Sequence, residues 1–129
     1  MAETGCYHLV FHLPEATEVR VGALGAIDLP PGWYVYTGSA FGPGGIAARV
    51  ARHRRPRRRH WHIDYLSAVA ELVDVILMPD TTRRECEHAA AVRALPGAVV
   101  PVPRFGASDC KCIAHLVWFP ERPEVAVTS

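Results

Sequence analysis

Four groups of residues in this chain have the side chains for chemistry. The first is a pair of tripeptides, Gly5-Cys6-Tyr7 and Tyr36-Thr37-Gly38. The second is Arg49 with His53, preceded by the glycine-rich stretch Phe41 to Gly45. At four residues apart, Arg49 and His53 are neighbours on a helix surface. The third is Glu85 with Glu87, and the fourth is Ser108-Asp109-Cys110-Lys111-Cys112 with His115. Each group has an ordinary alternative. Tyrosine in a strand is commonly a β-former at the sheet surface. A basic helix face is commonly a solvated one, and acids in a first helical turn offset the helix dipole. Cys110, Cys112 and His115 are a candidate Zn²⁺ set, with a fourth ligand from His60, His62 or Asp109. Their spacing lacks a second cysteine pair. In a strand, residues 110 and 112 share a face and 115 takes the other. Zinc would need a loop bend there, and a structural loop is the simpler reading.

The charge distribution adds a fifth feature. The 129 residues carry a net charge of only +1. Seven of the 14 cationic residues nevertheless fall within residues 49–59: Arg49, Arg52, Arg54, Arg55, Arg57, Arg58 and Arg59. The other 118 residues hold seven cations against 13 acids, a balance of −6. A mildly acidic body carries one dense basic patch, which suits a phosphate-bearing partner. His60-Trp61-His62-Ile63-Asp64-Tyr65 follows it directly. One reading is a packed helix with Trp61, Ile63 and Leu66 inside. The other is a substrate edge, with His60 and His62 near phosphate and Tyr65 or Trp61 stacking on a base. Asp64 would then orient a histidine.

These residues need elements to hold them. Cys6–Leu13 and Trp33–Thr37 read as strands, dense in aromatic and β-branched residues. Glu18–Val21 and Ile27–Leu29 read as short strands, with turns at Gly22–Gly25 and Pro30-Pro31-Gly32. A helix is expected from Gly44 or Gly45 to about His53. Ile46, Ala47, Val50 and Ala51 lie on one arc of it, and Arg49, Arg52 and His53 on the other. Arg54–His60, broken by Pro56, reads as a loop, Trp61–Val69 as a helix and Leu72–Met78 as a buried strand. Thr82–Leu95 reads as a helix with Thr82 as N-cap and Glu85 three residues on, the pattern of a capping box. Val99–Val102 is ambiguous. Arg104–Cys112 reads as a loop and Ile113–Phe119 as a last strand. The sum is a single small α/β domain over residues 1–119. Its central sheet is mostly antiparallel, of three or more strands, flanked by about three helices. Residues 120–129 are expected to be a frayed tail.

Together the groups resemble the GIY-YIG nuclease superfamily. Gly5-Cys6-Tyr7 is similar to its first tripeptide, with Cys6 in place of the usual isoleucine. Tyr36-Thr37-Gly38 is similar to the second. Arg49 follows Gly38 by 11 residues, a little beyond the usual spacing, and His53 falls where relatives carry a histidine or tyrosine. YVYTGSA, RVARH, HWHIDYL and FGASDCKCIAHL resemble an uncharacterised branch of that superfamily. The resemblance runs from about Gly5 to Phe119. It implies hydrolysis of phosphodiesters with one divalent ion, Mg²⁺ or Mn²⁺. It implies that Tyr7, Tyr36, Arg49 and His53 are catalytic and that a glutamate holds the metal. Glu85, in helical register with Ala89 and Val92, is the first choice, and Glu87, roughly 200° round the helix, the second. The superfamily's late asparagine has no match, because the chain contains no asparagine; Asp109 or Ser108 would have to substitute.

Several classes drop out. No apolar stretch approaches the ~18 residues of a membrane span, and no secretory signal opens the chain. The four cysteines are sparse and read as free or metal-bound thiols in a reducing cytoplasm. The expected function is a DNA endonuclease acting in repair or processing. No base-reading element is visible. The expected substrates are therefore branched, damaged or single-stranded DNA, met by Arg52, Arg54, Arg55, Arg57, Arg58, Arg59, His60 and His62. The alternatives are a nucleic-acid-binding module of the same fold without catalysis, and an interaction protein whose basic loop meets an acidic partner. The sequence leaves the oligomeric state open.

Overall fold

A computed structural model describes residues 4–20, 25–41, 44–54, 62–82, 84–101 and 114–125, with His53, Arg54, His62 and Asp64 in backbone only. Four strands form the central sheet: β1 (Gly5–Leu13), β4 (Gly32–Ala40), β5 (Glu71–Pro79) and β6 (Leu116–Phe119). Their order is β5-β1-β4-β6, and every pair is antiparallel. Strands β2 (Thr17–Arg20) and β3 (Ala26–Leu29) form a separate two-stranded ribbon. Helices α1 (Gly45–Arg54), α2 (His62–Ser67) and α3 (Glu85–Arg93) complete the described elements. The expected α/β architecture is present.

The two-residue period of β1 builds two cores. Tyr7, Leu9, Phe11 and Leu13 point to one face, where Ile46 of α1, Ile63 and Leu66 of α2, and Val19 and Leu29 of the ribbon cover them. Val10 points to the other, where Val35, Val117, Phe119 and Val92 of α3 pack together. Fully burying a large apolar side chain such as Phe11 or Leu13 contributes roughly 1.5–3 kcal/mol.

Four element expectations need correction. Strand β5 is not a buried strand but, among the described residues, a sheet edge, bonded to β1 alone. Its apolar run hides a register shift opposite Val10/Phe11, and Leu77 is 44% exposed. Helix α3 starts at Glu85, and no side chain caps it. Thr82 is not its cap, because the N-cap position falls at Arg84. The Thr82 N–H that a capping box would give to Glu85 goes instead to the Asp80 carboxylate at 3.0 Å, which also pairs with Arg84 at 3.1 Å. The turn is thus closed by Asp80 before the helix begins. The tail is ordered at least to Val125, which packs on the second core. Arg122 pairs with Asp74 at 3.5 Å and lies 5.6 Å over the Trp33 ring, a cation–π distance. Finally, β6 starts at Leu116 rather than Ile113, with His115 at a bend before it. Val99 makes an isolated bridge to Trp118.

Candidate active site

The register of β1 and β4 sets the site. Tyr7 pairs with Gly38, and Leu9 with Tyr36. The two tripeptides therefore lie side by side, and Tyr7, Tyr36 and Gly38 share the face that α1 covers. Gly5 lies where a Cβ would run into the Met78 carbonyl of β5. Gly38 leaves the space that the Tyr7 ring fills. Tyr7 is fully buried, whereas Tyr36 is half-buried against the same core.

Helix α1 brings its arginines to this face. Arg49 and Arg52 are half-buried, not solvated, and Ala47 is exposed instead. The inward side thus keeps Ile46, Val50 and Ala51 of the expected apolar arc, loses Ala47 and adds Arg49 and Arg52. The Arg49 guanidinium hydrogen-bonds the Tyr7 hydroxyl. A polar partner turns an arginine inward where hydropathy places it outside.

Glu85 comes from the opposite layer. It opens α3 on the stripe that includes the buried His88, Ala89 and Val92. Its negative charge reaches Tyr7, as do the charges of Arg49 and Arg52. Tyr7, Arg49, Arg52 and Glu85 therefore form one electrostatic group at one end of the sheet. Burial is the largest influence on Tyr7 and pushes its hydroxyl well above the ordinary phenol range. Arg49 and Arg52 oppose that shift and Glu85 adds to it, with burial prevailing. Tyr7 is a neutral phenol at physiological pH. Glu87, the second-choice glutamate, points away: its side chain is 73% exposed and lies 3.6 Å from Arg84.

A second cluster of polar groups occupies the α3 side of the same strands, and the sequence reading missed most of it. His8 Nδ1 and Thr37 Oγ1 lie 2.8 Å apart, on paired residues of β1 and β4. His88 stands edge-on to His8, with ring centroids 6.2 Å apart. Burial, and secondarily the neighbouring His88, lowers the pKa of His8 to about 4. His115 is 1% exposed. Its Nδ1 lies 3.1 Å from Glu85 Oε2, and its Nε2 lies 3.7 Å from Cys86 Sγ. The period of β1 was the available signal, since His8 alternates with Tyr7 and must face the other way. The partners Thr37 and His88 lie far along the chain and leave no local trace.

The remaining expected site residues are not placed. Arg55, Arg57, Arg58, Arg59, His60, Cys110 and Cys112 lie outside the described residues, as do the side chains of His53, Arg54 and His62. Ser108, Asp109 and Trp61 do too. Among the described residues no group of three or more His, Cys, Asp or Glu side chains could hold a metal ion. A hard cation such as Mg²⁺ needs fewer protein ligands, often one carboxylate with waters and phosphate oxygens. Glu85 has the hard oxygen donor for that and is 24% exposed, so solvent and an ion can reach it. No described helix is long and apolar enough to cross a membrane.

A family model described as a domain of unknown function, DUF123, matches residues 6–129. The chain belongs to the DUF123 family. No curated protein and no solved structure matches it. The match takes in Cys6 and Tyr7 of the first tripeptide of this DUF123 domain, all of the second, α1 with its arginines, Glu85 and His115.

Proposed function

We propose that this DUF123 domain is a metal-dependent DNA endonuclease, structure-selective and at work in DNA repair or processing. The contact between Arg49 and Tyr7, with Glu85 in electrostatic reach, carries the reading. A phosphodiester transition state gathers negative charge, and a fixed guanidinium stabilises it without reorganising. Arg49 has the fixed guanidinium, because Tyr7 holds it from below. Tyr7 keeps its proton, so it orients Arg49 and is not the base. The proton of the attacking water then falls to His53 or Tyr36. Glu85 would hold one Mg²⁺ or Mn²⁺, which polarises a phosphate oxygen and its bound water when present. Arg52, Arg54, Arg55, Arg57, Arg58 and Arg59, with His60 and His62, would supply the phosphate track.

A second reading is a nucleic-acid-binding module without catalysis. The absence of any asparagine from the chain favours it. One comparison separates the two. The protein is incubated with branched and single-stranded DNA in Mg²⁺ or Mn²⁺, beside Arg49→Ala. Cleavage by the wild type that Arg49→Ala abolishes supports the nuclease. Binding without cleavage across all substrates and metals leaves the module.

A further inference from the structure

His115 has no role in the reading above, yet its ring is fully buried and its Nδ1 makes no well-aligned hydrogen bond. Its backbone is fixed from two sides. The Thr37 N–H donates to the His115 carbonyl at 3.0 Å. Arg93, at the far end of α3, donates from Nη1 to the Ala114 carbonyl at 2.6 Å. The ring is buried at 1% exposure and reaches the first turn of α3, with Nδ1 3.1 Å from Glu85 Oε2. Nδ1 is buried without a well-aligned hydrogen bond, and Glu85 Oε2 is an acceptor within reach of it. Nε2 faces the Cys86 sulfur at 3.7 Å. Helix α3 has no side-chain cap to fix its first residue. His115 ties that residue to Thr37, the centre of the second tripeptide.

We infer that His115 is a positioning residue for Glu85. It holds one carboxylate oxygen and thereby aims the carboxylate toward the Tyr7–Arg49 end of the sheet. The inference rests on the proposed role of Glu85 in holding a divalent ion. Histidine and carboxylate commonly support each other in this way around metal sites, and losing the outer partner typically weakens metal affinity 10–100-fold.

The test is Mn²⁺ binding, read as loss of the free-ion paramagnetic resonance signal and independent of any cleavage. Glu85→Gln defines the binding that depends on this carboxylate. His115→Phe should weaken that binding ~10–100-fold. His115→Asn keeps an N–H where Nδ1 stands and should stay within about threefold of wild type, whereas His115→Gln places its amide at the Nε2 position and should not. If His115→Phe does not fold, the Asn and Gln variants carry the comparison. Mn²⁺ binding that needs Glu85 but is equal in all three His115 variants overturns the positioning role alone. Binding indifferent to Glu85→Gln, or no binding by the wild type, overturns the site itself and the inference with it.

Discussion

The Tyr7 hydroxyl lies against Gly38, its cross-strand partner, so closely that a Cβ at position 38 would sit 2.5 Å from the phenol oxygen. The glycine that ends the second tripeptide is thus explained by the tyrosine that ends the first. The same hydroxyl bonds Arg49, so the ring cannot retreat without releasing the guanidinium.

Gly38→Ala should therefore be costly in two ways. Displacing a ring in a filled core typically costs 1–3 kcal/mol. Urea denaturation should show a loss of about that size. DNA affinity should fall as well, because Arg49 loses its support. A variant as stable as wild type would mean that the ring moves freely, and the account of Gly38 would be wrong.

His8 gives the fold an acid-sensitive point. Its pKa falls from 6.5 to about 4 on folding, through burial and the nearby His88. The unfolded chain takes up this proton below about pH 6.5, whereas the folded chain resists it until about pH 4. The neutral form favours folding, so this contribution is intact above 6.5, declines as pH falls through that window and levels off below 4. The total is on the order of 3 kcal/mol. His8→Leu removes the titration. The stability of wild type relative to His8→Leu should drop between pH 7 and 4, measured by urea midpoints at each pH. A difference that does not change with pH would contradict the burial of a neutral His8.

The arginine run should be visible in salt dependence. Neutralising each phosphate contact adds roughly 0.7–0.9 to the slope of log affinity against log salt. Replacing Arg57, Arg58 and Arg59 together with alanine should lower that slope by about 2 to 3. The loss should be similar for unrelated DNA sequences, because the contacts are to backbone. An unchanged slope would remove this run from the DNA path.

Much of this was legible in the sequence, and the failures share a cause. Strands β1 and β4 stand out because their β-formers run unbroken to Pro14 and from Gly32. The place of Glu85 on the packed side of α3 was legible through its register with Ala89 and Val92. Arg49 was found as a residue but assigned to the wrong arc of α1, since hydropathy cannot foresee that a buried phenol will draw a guanidinium inward. Thr82 looked like a cap because the motif is local; Asp80 competes for the same N–H. The His8–Thr37 contact joins residues 29 apart, and Glu85–His115 joins residues 30 apart. Strand register creates the first and the packing of α3 against the entry to β6 the second, and no window of sequence contains either. The edge position of β5 is likewise a fact of topology, not of composition.

The central claim is that Glu85, and not its neighbour Glu87, works with Arg49 and Tyr7 on a phosphodiester. Single-turnover cleavage of a branched DNA in Mg²⁺ tests it most directly, comparing wild type with Glu85→Gln and Glu87→Gln. The account predicts a loss of ~100-fold or more for Glu85→Gln. It predicts a change within about twofold for Glu87→Gln, whose exposed side chain meets Arg84. Equal rates for the two variants, or a larger loss at Glu87, would contradict it.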